Sequence, residues 1–563
     1  MNAENVPQQY FEFLLGNTGG DMNTKLLAIA LACTVLAGCG GDGVSSSDPG
    51  TPATPPPAAP PVTPSDPAVN QSFNVKDFGA KGDGTSDDTA AIQKALNAAS
   101  AAKGTVVFPQ GTFMTGALFV GSNTTLQVDE GVTLKAIQAQ TWWNIETTIA
   151  SGATNGFSAD GLSLYPQVPT RVQGIEMNWA SAIINVRNAD NVVITGKGAI
   201  DGNGQSWWSH YYADGTAFHK TLGVTWALNW DEQRPRGIET FNSTNVTIKD
   251  VTVQNSPFWT VHICYSDQVH LDGVKVYNFP SAATGIMPST DGIDLDSSTN
   301  VLVENADIVA NDDGFVIKSG RDGDGLRVNK PTANVVIRNS VVRAGATAFT
   351  IGSETSGGAN NIEVSNIQVT PLTGQINSNV GYKAGGPAVY SVFVFKSAPT
   401  RGGTMENVYV HDITVDDAYY FMQGNEAWPA GGTVPATFGT TYQEPSYWPP
   451  ILVMPATADA GYPIFRNFKF ENITMKRVES AVFGVAGYTL AGEAEKGRFT
   501  NFTFNNVNIT AVNSAGNSVG PGSIANAGNW VFTNSTIKNA AGANIVPTLS
   551  STTTSNITGL PGQ

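Results

Sequence analysis

Ser289 to Gly320 reads S-T-D-G-I-D-L-D-S-S-T-N-V-L-V-E-N-A-D-I-V-A-N-D-D-G-F-V-I-K-S-G. Short apolar strands repeat one phrase here, and Asp291, Asp294, Asp296, Asp312 and Asp313 stand on them as candidate acids. Asp291 precedes Asp312 by about 21 residues. If one repeat is one coil of a stacked parallel sheet, residues one coil apart sit about 4.8 Å apart across neighbouring strands. The spacing therefore predicts Asp291 beside Asp312 and Asp313 on one face.

The same phrase recurs on both sides of this stretch. Asn-aliphatic-x-aliphatic, an Asn or Asp, then a second aliphatic pair begins at Asn191, Asn245, Asn300, Asn334, Asn361 and Asn407, with a variant at Val269 and later copies at Asn467 and Asn501. Starts lie roughly 23 to 34 residues apart, or about twice that where a copy is degenerate, which is a solenoid period. Each unit predicts two short strands, aliphatic inward and polar outward, joined by an Asn or Asp turn that tolerates left-handed geometry. An immunoglobulin-like array would instead use two-residue hairpin turns, and a propeller would need four strands per longer repeat. The expectation is an all-β parallel β-helix. Asn-x-Thr triplets at Asn245, Asn472 and Asn501 fall at the repeat's own turns and are read as structural rather than as glycosylation sites.

Composition agrees. Only 13% of residues are charged and there are 60 glycines, which suits a β-rich, turn-rich chain. A net charge of −16 argues against nucleic acid as a partner but not against a polyanion held by a local cationic cluster. Phe73 to Phe78 reads as a strand. A helix should follow with Ile92, Ala95, Leu96 and Ala99 on one apolar face, Asp87 or Asp88 at its N-terminus, and a place over the open end of the solenoid.

Before the folded part, Met22 to Lys25 and the apolar run Leu26 to Leu36 have signal-peptide form, and Met22 is a possible true start. Leu36-Ala37-Gly38-Cys39 resembles a bacterial lipoprotein cleavage box, in which Cys39 is the lipidated residue. Gly40 after it favours outer-membrane or surface delivery, with secretion or a periplasmic location as the alternative. Residues 40–72 form a Pro/Ala/Thr/Ser-rich tether, leaving 1–39 as extension and leader and 73–563 as the folded domain. Loss of Cys33 with the leader leaves Cys264 as the sole thiol, so no intrachain disulfide is expected.

Clustered carboxylates are costly because like charges raise one another's pKa. They suit glycoside hydrolysis, in which one acid protonates the leaving oxygen and another carboxylate activates water. The alternative is that Asp291 and Asp313 merely serve Asp-Gly turns, and for Asp296 that reading has equal standing.

At these residues the chain resembles the polygalacturonases, glycoside hydrolase family 28, from Phe73 to about Ile537. The opening F-N-V-K-D-F-G-A-K-G-D-G-T-S-D-D-T-A-A-I-Q-K-A-L is shared with other β-helical enzymes; N-S-P-F-W-T-V-H-I at Asn255 to Ile263 and the acid-rich stretch are more specific. The resemblance implies a single-stranded, right-handed, pectate-lyase-like parallel β-helix with an N-terminal capping helix. S-T-D matches the family's Asn-Thr-Asp motif with Ser289 in the Asn position, making Asp291 a water-activating carboxylate. N-D-D-G matches its Asp-Asp motif, making Asp312 the general acid and Asp313 a residue that positions or deprotonates the water. The implied reaction is inverting hydrolysis of α-linked galacturonic acid bonds in pectin by a monomer. No cofactor or metal is expected.

Two positions depart from the family pattern. Ala346-Thr347-Ala348 stands where Gly-His-Gly is expected, and Val394-Phe395-Lys396 where Arg-Ile-Lys is expected. Rhamnogalacturonan is therefore an alternative substrate. Lys318, Arg321, Arg327, Lys396 and Arg401 are the cations available to a uronate, with Glu354 and His262 as further site candidates. Trp207, Trp208, Trp226 and Trp230, and the segment around Trp428, Tyr442 and Trp448, form insertions that either wall a sugar subsite or pack on the barrel. A calcium-dependent pectate lyase and a non-catalytic glycan-binding surface lipoprotein are the competing readings.

Overall fold

The computed structural model describes residues 71–139, 161–211, 233–278, 287–372, 386–398, 401–425, 463–487, 499–550, 554 and 556–563. The leader, Cys39 and the tether to residue 70 lie outside these, as do Trp226, Trp230 and the Trp428–Trp448 insertion.

One coil shows the architecture. Ile293–Asp296, Thr299–Glu304 and Asp307–Val309 follow one another around the coil, and Asp313–Lys318 begins the next. Each pairs in parallel with its counterpart one coil away: Ile293 with Phe315, Val301 with Val335, Ile308 with Val342. The fold is a right-handed parallel β-helix, the hand that parallel crossovers take. The two-strand unit read from the Asn phrase omits a third strand, Ile293–Asp296 in this coil, which begins each turn. Further on, one 20-residue strand, Thr332–Ile351, bends through all three positions.

The omitted strands stack into the sheet that carries the candidate acids. In order they are Leu118–Val120, Ile184–Arg187, Ile238–Phe241, Val261–Cys264, Ile293–Asp296, Asp313–Lys318, the end of Thr332–Ile351, then Val389–Lys396 and Ala418–Asn425. Alternation sends Ile293, Leu295, Phe315, Ile317, Phe349, Ile351, Phe393 and Phe395 into the core, where all are buried. In the last coils the core becomes aromatic. Phe502 lies between Phe468 at 4.6 Å and Trp530 at 4.9 Å, both rings stacked on it.

The turns behave as their Asn content predicts. Asn191, Asn245, Asn300, Asn334, Asn361, Asn407, Asn467 and Asn501 all take left-handed φ between 54° and 61°. Their amides bond from coil to coil: Asn245 to Asn191 at 2.6 Å, Asn334 to Asn300 at 3.1 Å, Asn501 to Asn467 at 3.0 Å. Stacked coils let these amides bond to one another, which gives the asparagines of the repeat a structural role.

At the N-terminus the strand is shorter than read, Ser72–Asn74, and Val75–Phe78 forms a 3-10 turn in which Lys76 N donates to the Asn74 side chain. The helix Thr89–Ala102 buries Ile92, Ala95, Leu96 and Ala99 against the first strands. Asp88 stands at the cap position, but its carboxylate accepts from Lys81 N and Gly82 N instead. Asp87 Oδ1 takes Thr89 N at 2.9 Å.

Candidate active site

Asp291 precedes the Ile293–Asp296 strand, and Asp312 and Asp313 open the next one. Carboxylate oxygens of all three lie within 4.8 Å of one another. Gly292 N donates to Asp313 O at 2.8 Å, so Asp291 faces Asp313 across the coil, and Asp312 flanks them. The Asp-Gly pairs have a packing cause. A Cβ on Gly292 would lie 2.4 Å from Gly314 O, and one on Gly314 would lie 2.8 Å from Thr347 O. Glycine at both positions lets successive coils close up, and the aspartates before them are drawn together.

Asp291 and Asp313 are buried and Asp312 is half-buried. Burial pushes the Asp291 carboxyl well up, with Asp294 and Asp312 adding to it. Burial and the Asp313 charge raise Asp312. Lys396 supplies the countercharge, its Nζ 2.8 Å from Asp313 Oδ2. Asp291 Oδ1 and Asp313 Oδ1 make no hydrogen bond to the described residues, which leaves them as acceptors for an incoming group.

Asp294 was left without a role by the sequence and is buried beside this trio. Burial raises its pKa to about 7, with Asp313 and Glu354 pushing the same way against Lys318 and His262. Lys318 lies 3.7 Å from Asp294 and 3.1 Å from Glu354, its ammonium over the Trp259 ring at 4.9 Å. Burial alone would depress Lys318, but Glu354, Asp294 and Asp291 hold it above the usual lysine range. Glu354 is itself held down by Lys318 and Arg401 against its own burial.

Several residues expected to meet substrate are thus buried in ion pairs. Arg321 is 1% exposed, lies 3.3 Å from Asp322, and is pushed down to about 10 by burial and the neighbouring Arg401. Arg401 is equally buried, whereas Arg327 is a surface residue paired to Asp324 at 2.7 Å. His262 is wholly buried, with Nδ1 3.3 Å from Glu239 and Nε2 3.5 Å from Asp296. Lys396 alone of these cations both touches the trio and keeps some exposure, 12% of its side chain. Asp296 belongs to the buried network. Burial would raise it, but Arg171 at 2.8 Å and His262 hold it at about 2. Trp207 and Trp208 pack inward, Trp207 against Tyr165 and Trp208 bonded to Ser256 O.

Thr347 pairs in register with Asp313, and its hydroxyl lies 2.5 Å from that of Thr350. The position beside the acids carries no imidazole. Val394 is in register with Thr350 on the same sheet.

Glu239, His262 and Asp294 form one column on successive coils. Glu239 and Arg171 were missed as members of this neighbourhood. The available signal was a polar residue at one place in three successive apolar strands, I-E-T-F, V-H-I-C and I-D-L-D. Nothing near Arg171 in sequence points to Asp296.

Comparison with known proteins agrees with this geometry. The model of the glycosyl hydrolases family 28 matches residues 120–384. A probable polygalacturonase of Vitis vinifera is 28% identical over 362 residues, 63% of this chain and 63% of that protein, so the match spans a little under two thirds of that relative. An exo-poly-alpha-D-galacturonosidase of Dickeya chrysanthemi is 26% identical over 505 residues, 83% of this chain and 74% of that protein. In fold, the family 28 exopolygalacturonase of Yersinia enterocolitica superposes with a TM-score of 0.62 at 20% identity, covering 87% of this chain and 78% of the other. The exopolygalacturonase of Thermotoga maritima gives 0.57 at 22%, covering 80% and 89%. The three carboxylates gathered on one face of the parallel β-helix lie inside the segment, residues 120–384, that is similar to the glycosyl hydrolases family 28.

Proposed function

We propose that the protein hydrolyses α-linked galacturonic acid bonds in pectin. The observation that carries this is the convergence of Asp291, Asp312 and Asp313, with Lys396 against Asp313. Asp312, half-buried and with its carboxyl pushed up by burial and Asp313, gives a proton to the leaving oxygen. Asp313, with its countercharge at Lys396, draws the proton from the attacking water, and Asp291 holds that water from the facing coil. The closest oxygens lie nearer than the roughly 6.5 to 9.5 Å usual between acid and base in inverting glycosidases. Inversion is therefore proposed from the family resemblance and not from spacing.

Rhamnogalacturonan remains the second substrate because Thr347 and Val394 stand where a His and an Arg would complete the family pattern. Reducing-sugar release from polygalacturonate and rhamnogalacturonan tests both, with proton NMR of the first anomer formed for the stereochemistry. Release from neither polymer would refute the proposal, and products absorbing in the ultraviolet would indicate a lyase instead. We further propose that Cys39 anchors the enzyme to a membrane surface by lipid, supported by Leu36-Ala37-Gly38-Cys39. Cys39→Ser should release it into the soluble fraction, and an unchanged distribution would count against the anchor.

A further inference from the structure

A hairpin that belongs to no coil lies across the site-bearing sheet. Gln167–Val172 and Ile175–Ala180 pair antiparallel around a Gln173-Gly174 turn, both residues at positive φ as such two-residue turns require. Its contacts run along several coils. Thr170 bonds Glu239, Arg171 Nη1 reaches Asp296 Oδ1 at 2.8 Å and Ser297 Oγ at 2.6 Å, and Arg236 Nη2 donates to Arg171 O at 2.8 Å. The tip docks next to the active site: Arg321 N donates to Gly174 O at 2.9 Å, and Glu176 N donates to Asp324 Oδ2 at 2.8 Å. At the other end Trp179 Nε1 donates to Arg234 O at 2.8 Å.

Under the hairpin the outward face of the sheet is sealed. Arg171, Arg236, Glu239, His262 and Asp296 are each 0% exposed. Desolvated guanidinium–carboxylate pairs of this kind contribute little net stability but are costly to break one-sidedly, so they fix position. The covered strands Ile238–Phe241 and Val261–Cys264 immediately precede the coil of Asp291. A polysaccharide running upstream along this sheet from the three carboxylates would have to occupy the space that Arg171 fills over Asp296, on the coil of Asp291, and that Thr170 fills over Glu239, two coils or about 10 Å upstream.

We propose that the Gln167–Ala180 hairpin closes the N-terminal end of the groove, so that the enzyme cuts from a chain end and releases products of one short length. This rests on the pectin hydrolase reading. The Arg171–Asp296 pair and the bare Gly174 tip set the block: a Cβ at Gly174 would lie 2.5 Å from Arg321 Cβ and 2.7 Å from Glu354 Cγ.

The test follows viscosity, reducing ends and product masses together while the full-length protein digests polygalacturonate and, in parallel, rhamnogalacturonan. The expected result is one short product from the earliest time points, with viscosity falling only in proportion to reducing ends. Gly174→Val and Arg171→Met, checked by circular dichroism, should lift the hairpin and yield a ladder of longer products with early viscosity loss. A ladder from the wild type overturns the block and leaves the hydrolase reading standing. So does a folded Gly174→Val protein with the wild-type product pattern. Absence of cleavage on both polymers overturns the hydrolase reading and the block with it.

Discussion

Lys396 Nζ lies 2.8 Å from Asp313 Oδ2, although 83 residues separate the two in sequence. Asp313 pairs with Thr347, and Thr347 with Ser391, so the lysine reaches back from two coils downstream. The contact puts a positive charge where three carboxylates crowd, and it lowers Asp312 as well as pairing with Asp313.

Removing that charge should therefore move the pH dependence. In Lys396→Met the Asp312 carboxyl loses a cation that favours its charged form, so its pKa rises further, and the high-pH limb of kcat/KM, which reports the protonated acid, should shift upward. The pH–rate profile on polygalacturonate reads this. An unmoved limb would show that Lys396 does not govern ionisation of the acid.

Asp294 makes the opposite kind of prediction, about stability. Its folded pKa is about 7, above the unfolded value near 3.9, so the folded state holds the proton more tightly. The stabilisation this brings is full below about pH 4 and is lost as pH rises toward 7. Asp294→Asn has no charge to bury, so relative to wild type it should gain a few degrees of Tm (roughly) at pH 8 compared with pH 4.5. An equal Tm difference at both pH values would contradict the burial argument.

Much of this was legible in the sequence for a simple reason: a solenoid repeats locally. The Asn turns and alternating aliphatics recur within each coil, so one period reveals the strands, and the spacing from Asp291 to Asp312 and Asp313 converts directly into proximity. Contacts that break the repeat were not legible. Arg171 finds Asp296 across 125 residues, and Glu176 finds Asp324 across 148. Arg321 and Glu354 lie against the Gly174 tip of the same hairpin, and Lys318 is paired with Glu354, so their charges looked available to substrate when read from sequence alone. The strand Ile293–Asp296 escaped the two-strand unit because its outward positions carry Asp294 and Asp296, which read as chemistry rather than as sheet.

The aromatic stack of the last coils should be the costliest part of the core to open. Phe502→Ala removes the middle ring between Phe468 and Trp530 and should destabilise by about 3–5 kcal/mol. Denaturant unfolding measures it. A loss below about 1 kcal/mol would mean that the coils collapse to fill the space.

The Asn ladder can be separated into its two contributions. Asn467 sits at φ 61°, donates to Asn407 at 3.4 Å and accepts from Asn501 at 3.0 Å. Asn467→Ala loses the amide bonds and strains the backbone, together about 2–3 kcal/mol. Asn467→Gly loses only the bonds and should cost about 1 kcal/mol. Equal losses in the two variants would remove the left-handed turn as the reason for asparagine.

The central claim is that Asp312 delivers the proton that breaks the glycosidic bond. Asp312→Asn keeps the shape and removes the proton, and kcat for reducing-sugar release should fall by about 10²- to 10⁴-fold with Tm and circular dichroism unchanged. A folded Asp312→Asn enzyme that releases sugar at the wild-type rate would contradict it.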